Sequence, residues 1–240
     1  MSAAIVEQFR ENLANVESRI AEASRAAGRP TNDVRLIAVS KYAPAPIVQC
    51  LVDAGATDLG ESRPQALWDK AEVIRDASGQ SPRWHLIGHL QRNKVKRTLP
   101  LVHAIHSLDS RRLLDEIEKE AAETQRTVRG FLEVNVSQDS SKTGLSPSAA
   151  IELLASRETW PHMEWVGLMG MASLDGNTAE ARREFSLIRE LRDDLSHRSG
   201  LPLPALSMGM SGDFEAAIAE GATHVRIGSS LFAGIDTRLP

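Results

Sequence analysis

Short apolar runs alternate along the chain with longer stretches in which apolar residues recur every three or four positions. The first long stretch carries Ile5, Phe9, Leu13, Val16 and Ile20 on one helical stripe and stops before Gly28 and Pro30, which predicts an N-terminal helix over about residues 2–27. Eight short runs follow: RLIAVS, ATDLG, WHLIG, HAIHSL, GFLEVNVS, EWVGLMGM, ALSMG and THVRIG. Most are apolar nearly throughout and not only at alternate positions, the pattern of strands buried on both faces. Helical patterns fill the gaps near 44–54, 62–77, 91–98, 110–125, 147–157, 178–198 and 212–220. Strands that alternate with helices in this way describe a parallel sheet covered by helices, and closed into a ring they make a (β/α)8 barrel. A doubly wound open sheet shares the local pattern. Against it, the turn after the first strand reads Ser40-Lys41-Tyr42 where dinucleotide-binding sheets carry G-x-G-x-x-G. Residues 1–240 are expected to form one barrel domain, a length that suffices for a single core.

Charge and cysteine usage narrow the partners. Twenty-eight Lys and Arg against 32 Asp and Glu leave a formal net charge of -4, so no electrostatic footprint for a nucleic acid is present. The single cysteine, Cys50, sits in a helical run and is read as a small buried hydrophobe. Charges recur every few residues near the N-terminus, and no apolar run approaches the roughly 20 residues a membrane helix needs. A soluble cytoplasmic protein is expected, with neither a membrane nor a nucleic acid as partner.

In a barrel, chemistry gathers at the C-terminal ends of the strands, and Lys41 lies at the end of the first. Strand alternation puts Ile37, Val39 and Lys41 on one face, so the ammonium is expected to emerge from an apolar row. A desolvated lysine is a neutral amine that can attack an aldehyde; a solvated loop lysine is the other reading. At the seventh strand, LSMGMSGD places Ser211 where it can cap a helix starting around Gly212, and at the eighth, VRIGSS places Gly228, Ser229 and Ser230 before another apparent helix start. Two such loops, after strands 7 and 8, are where barrels of this class cradle phosphate. Arg226 shares a face with His224 and Gly228 and should point into the barrel, either toward the mouth or into a structural salt bridge. A lysine, a phosphate cradle and an arginine at one mouth match the aldehyde, phosphate and ring nitrogen of pyridoxal phosphate.

In order along the chain, AVSKYAP, LGESRPQ, WHLIGHLQRNK, HSLDS, VNVSQDSSKTG, GLMGMASL, LSMGMSGD and VRIGSSLF resemble the signature segments of the pyridoxal phosphate homeostasis proteins, single-domain relatives of the alanine racemase barrel. The resemblance covers about residues 34–234. It implies that Lys41 holds pyridoxal 5'-phosphate as an internal aldimine, that Ser211, Gly228 and Ser229 bind its phosphate and that Arg226 faces the pyridine nitrogen. The cofactor-binding residues expected on this resemblance are Lys41, Ser207, Met210, Ser211, Arg226, Gly228 and Ser229, with no metal ligand and no catalytic residue. Storage and delivery of the cofactor, with transient contact to recipient apoenzymes, is the implied role. Where the family commonly reads Gly-Glu-Asn-Tyr, this chain has Gly60, Glu61, Ser62 and Arg63, and a carboxamide is lost.

Racemisation needs proton donors or acceptors on both faces of a bound amino acid. Lys41 could serve one face, but Tyr42, the only tyrosine, would point away from it if the strand continued, and no second domain is expected to supply another base. The chain is therefore read as a carrier and not an enzyme. A Schiff-base aldolase acting on a phosphorylated sugar, or a weak racemase, are the alternatives. His85 is read as a hydrogen-bonded core histidine, Lys94, Lys96 and Arg97 as a solvated basic patch, and Met169, Met171, Met208 and Met210 as packing at the barrel end. The last of these is thus read both ways, as packing and as a cofactor contact.

Overall fold

A computed structural model describes residues 2–137, 143–173 and 177–238. Eight parallel strands close in chain order: β1 (Arg35–Val39), β2 (Asp58–Glu61), β3 (Arg83–Leu86), β4 (Val102–Leu108), β5 (Val128–Glu133), β6 (Met163–Met169), β7 (Ala205–Ser207) and β8 (His224–Ile227). The closing pair sets Arg35, Leu36, Ile37 and Ala38 against His224, Val225, Arg226 and Ile227, which excludes the open sheet. Around the strands run α1 (Ser2–Ala26), α2 (Ala45–Asp53), α3 (Pro64–Val73), α4 (Val95–Thr98), α5 (Arg111–Thr124), α6 (Pro147–Ala155), α7 (Thr178–Ser199) and α8 (Phe214–Ala219).

Local chemistry accounts for these boundaries. On α1 the buried stripe Phe9, Leu13, Val16 and Ile20 packs over α2 and α8. Asn177 and Glu180 form a reciprocal capping box that opens α7, and Gly200 ends it at φ 71. The helix expected over 91–98 splits into a 3-10 turn at Arg92–Lys94 and the single α turn α4. Its basic patch is spent on surface contacts, with Lys96 3.9 Å from Glu120 and Arg97 stacked over Trp68. The run GFLEVNVS ends as a strand at Glu133, because Leu145 N-H donates to the Glu133 carbonyl and Asn135 N-H to the Leu145 carbonyl, folding a loop back across the strand end.

Two layers of apolar side chains are separated by the sheet. Ala38, Leu59, Leu86, Ile105, Leu132, Leu168, Leu206, Val225 and Ile227 face the helices in the main core, while Ala104, Phe131, Val166, Met169 and Ala205 form a small apolar cluster of their own. Polar groups share the interior: Asp58, His85, His106, Ser207 and Arg226 are buried. His85 is the hydrogen-bonded core histidine expected, joined to Asp58 and His106.

This histidine-rich interior predicts acid sensitivity. Burial lowers His85 and His106, takes His103 to about 4 and His224 to about 3, all below the ordinary value near 6.5. The unfolded chain therefore binds protons that the folded chain refuses between about pH 6.5 and 4, and stability falls as pH drops through that window, with a slope of up to about 1.4 kcal/mol per pH unit for each ring. The urea midpoint is expected to hold steady above pH 7 and to decline from pH 6.5 to 4.5; a flat profile would show that the rings titrate normally in the fold.

Candidate functional site

The C-terminal mouth of the barrel encloses a cavity of about 770 Å³ to which Lys41, Ser62, Met210, Ser211, Arg226 and Ser229 all contribute. The loops that supply them are pressed together by glycines. A Cβ on Gly88 would lie 2.4 Å from the Ser62 carbonyl oxygen, so only glycine lets the loop after β3 approach the loop after β2. After β7, Gly209 takes φ +93 where a Cβ would meet Ala217 at 2.7 Å.

Lys41 is not in the strand. β1 stops at Val39, Ala43 N-H returns to the Ser40 carbonyl, and Lys41 and Tyr42 occupy the turn between, both exposed. The turn is forced early because Pro44, extended at φ -70 and ψ 161, precedes α2. The apolar row expected to desolvate the ammonium therefore stops short of it. Strand alternation also fails for Tyr42: the Lys41 Nζ lies 4.8 Å from the centroid of its ring, and the side chain is 80% exposed. Among the described residues the Lys41 amine has no hydrogen-bond acceptor.

The turn is anchored from below by a buried cluster that sequence reasoning missed. Ser40 Oγ donates to Glu61 Oε1 at 2.8 Å, Lys70 Nζ donates to the Ser40 carbonyl at 2.8 Å, and Lys70 pairs with Glu61. Glu61 is fully buried and its second oxygen has no partner among the described residues. The available signal was Lys70 standing three residues after Leu67, on the face of α3 that packs inward.

Arg226 is buried yet borders the cavity. Its Nη1 donates to the Ser207 carbonyl at 2.6 Å and to Ser207 Oγ at 2.8 Å, and Nη2 donates to the Gly170 carbonyl at 3.0 Å. The salt-bridge alternative fails, since Arg226 joins no ion pair among the described residues. Nε-H and one proton of Nη2 have no protein acceptor there. Burial pushes the guanidinium down to about 10, opposed by the more distant Asp213 and Glu133, and it stays cationic at neutral pH. Ser207 is fully buried behind Arg226 and does not line the cavity.

Ser211 does not cap a helix. α8 begins at Phe214, and Asp213 Oδ1 accepts from the Met210 N-H at 2.5 Å. The Ser211 hydroxyl instead accepts from Gly228 N-H at 3.3 Å and Ser230 N-H at 3.4 Å, tying the loop after β7 to the loop after β8. No helix follows β8 among the described residues; turns over 229–234 present these amides. Ser229 and Met210 line the cavity, as does Met171, which is 40% exposed, whereas Met169 and Met208 are buried as packing residues. Of the expected set, Lys41, Met210, Ser211, Arg226, Gly228 and Ser229 meet at one cavity. Lys142 lies outside the described residues.

A sequence profile for the alanine racemase N-terminal domain matches residues 12–236. The pyridoxal phosphate homeostasis protein of Aquifex aeolicus is 40% identical over 222 residues, covering 92% of this chain and 96% of the relative. The protein of the same name from Pseudomonas aeruginosa is 37% identical, covering 96% and 97%. Among solved structures, PipY of Synechococcus elongatus with PLP bound superposes with a TM-score of 0.82 at 33% identity, covering 93% of this chain and 99% of that one. An alanine racemase of Clostridium difficile shares the fold, with a TM-score of 0.73 at 15% identity, and this chain covers 56% of it.

Proposed function

Because the chain belongs to the alanine racemase N-terminal domain family and, within it, to the pyridoxal phosphate homeostasis proteins, we propose that it binds pyridoxal 5'-phosphate at the barrel mouth, stores it and delivers it to recipient apoenzymes. One observation carries this reading: a lysine amine and guanidinium N-H groups that have no acceptor among the described residues, and the Ser211 hydroxyl on which the Gly228 and Ser230 amides converge, border a single cavity. Bound pyridoxal phosphate supplies an aldehyde that amines attack and a ring that can take up electrons.

Each handle of the cofactor has a partner in the chain. Lys41 offers its amine to the aldehyde from an exposed turn, where its accessibility suits exchange with an incoming recipient. The hydroxyls of Ser211 and Ser229 would receive the phosphate, together with the Gly228 and Ser230 amides once these exchange their long bonds to Ser211 for it. They do so without a long helix at the site, since α8 has only six residues. Arg226 would offer its free N-H groups to the ring nitrogen. A permanent cation there keeps that nitrogen unprotonated and weakens the ring as an electron sink, which supports storage over turnover. Tyr42 does not supply the missing opposite base, because it rises from the same turn as Lys41 and its ring packs beside that amine. The cytoplasm is the proposed compartment; no helix among the described residues is long and apolar enough to cross a membrane.

The phosphate cradle gives the test. The Ser211→Ala and Ser229→Ala double variant is expected to raise the dissociation constant for pyridoxal phosphate about tenfold or more, because hydrogen bonds to a charged group are lost. Its near-visible absorption should stay close to that of the parent, since the aldehyde end is untouched. Equal retention by variant and parent in equilibrium dialysis would sink the cradle, and a parent that binds no pyridoxal phosphate would sink the function.

A further inference from the structure

Behind Arg226 a line of hydrogen bonds crosses the interior of the barrel. Arg226 Nη1 donates to Ser207 Oγ at 2.8 Å, Ser207 Oγ lies 2.8 Å from His106 Nδ1, His106 Nε2 lies 2.9 Å from His85 Nδ1, and His85 Nε2 lies 3.0 Å from Asp58 Oδ1. Asp58 opens β2 at the N-terminal face, where Arg83 and Arg35 also hold it, at 2.6 and 3.3 Å. Ser207, His106, His85 and Asp58 are each at least 97% buried, with relative exposures of 0%, 0%, 1% and 3%.

The donors and acceptors of this line can be ordered from its ends. An ionised carboxylate only accepts, so His85 must donate from Nε2. A neutral ring then has a lone pair on Nδ1, so His106 donates to it from Nε2 and accepts at its own Nδ1. Ser207 supplies that proton from its hydroxyl and accepts from Arg226, which can only donate. Every bond therefore runs one way, from guanidinium to carboxylate. The line cannot pass a proton from end to end, because its last donor is an arginine that does not give one up. Its aligned dipoles instead direct negative ends toward Arg226 and link its charge to a carboxylate at the far face.

We infer that Asp58 is a positioning residue for Arg226, acting through His85, His106 and Ser207, so that the guanidinium is oriented from behind by neutral groups while no carboxylate among the described residues pairs with its free N-H groups. This rests on the reading that Arg226 faces bound pyridoxal phosphate. The lowered ring values of His85 and His106, caused first by burial, agree with both being neutral at pH 7. The other charged or titratable groups near the pair are Arg35, Arg83, His103, Arg129 and His224, and none of them is within hydrogen-bond reach of either ring.

Nitrogen NMR of the histidine rings in the cofactor-free protein at pH 7.5 tests the direction. Both His85 and His106 are expected as neutral rings protonated at Nε2; a cation or an Nδ1-H ring at either position overturns the chain. Positioning is tested by pyridoxal phosphate binding to Asp58→Asn, which removes the end that fixes the direction, and to Ser207→Ala, which cuts the line without removing a charge. Each is expected to raise the dissociation constant about threefold to tenfold, the scale of one hydrogen bond to a charged group. That effect should fall below about twofold in an Arg226→Ala background, as coupled sites require. Equal effects in both backgrounds, or no effect in the parent, overturn the proposal. Should Asp58→Asn fail to fold, Ser207→Ala decides it. Should the parent bind no cofactor, the proposed function fails while the ring NMR still tests the chain.

Discussion

Replacing Lys41 by alanine is expected to abolish covalent retention of pyridoxal phosphate. The expectation follows from the placement of lysines around the cavity. Lys70 is buried and already committed to Glu61 and the Ser40 carbonyl. Lys94, Lys96 and Lys119 lie on helices outside the barrel wall, and none of them lines the mouth cavity. Only Lys41, among the described lysines, combines a free amine with access to that cavity. Borohydride reduction of the loaded parent followed by peptide mass analysis should find one pyridoxyl group on the peptide that contains Lys41, and none on any peptide of the variant. Lys41→Arg is the control. It keeps the positive charge and much of the length, yet a guanidinium does not condense with an aldehyde at neutral pH, so it too should lose the label. A labelled Lys41→Ala protein would move the anchor to another lysine and overturn the assignment.

The second large effect is on stability. Lys70→Ala removes one half of a buried ion pair and leaves the Glu61 carboxylate fully buried, with one oxygen that even in the parent has no partner among the described residues. Breaking a buried pair from one side costs about 3–5 kcal/mol, and for a chain of this size each kcal/mol corresponds to about 2–4 °C in melting temperature. A drop of roughly 6–20 °C is therefore expected by circular dichroism. Adding Glu61→Gln to a Lys70→Met protein should recover much of that loss, because the stranded charge is gone and an amide can still accept from Ser40. A fall of under 2 °C in Lys70→Ala would mean that the pair is solvated in solution and does not anchor the Lys41 turn.

The order of strands and helices was legible because strands covered on both faces read as continuous apolar runs, and Val225 and Ile227 against His224 and Arg226 announce the alternation of β8 directly. Arg226 could be placed inside the barrel on that basis alone. The ends of elements were not legible. Lys41 and Tyr42 lie one and two residues beyond Ser40, where Pro44 and the Ala43 to Ser40 hydrogen bond turn the chain, and extending strand alternation past that point misplaced both. Ser211 was misassigned for a related reason. A serine before a helix has two possible sets of amides to meet, and only the folded loops bring those of Gly228 and Ser230 closer than the start of α8. The buried polar groups were the least accessible. Glu61 with Lys70 and Asp58 with His85 are pairs across separate elements, and a charged residue in a short strand carries no mark of which distant partner will compensate it.

The pairing of β8 with β1 also dictates when the site comes into being during synthesis. Arg35 to Ala38 leave the ribosome long before their partners His224 to Ile227. Until then β1 has a bare edge on that side, and Lys41 has neither Arg226 nor the Gly228 and Ser230 amides beside it. The pocket is thus assembled only once β8 reaches β1, a closing contact between segments far apart in sequence and of a kind that forms slowly. A ribosome-stalled chain that stops short of β8 should accordingly carry the anchor lysine yet retain no pyridoxal phosphate, and cofactor uptake becomes a readout of the moment the newborn barrel closes.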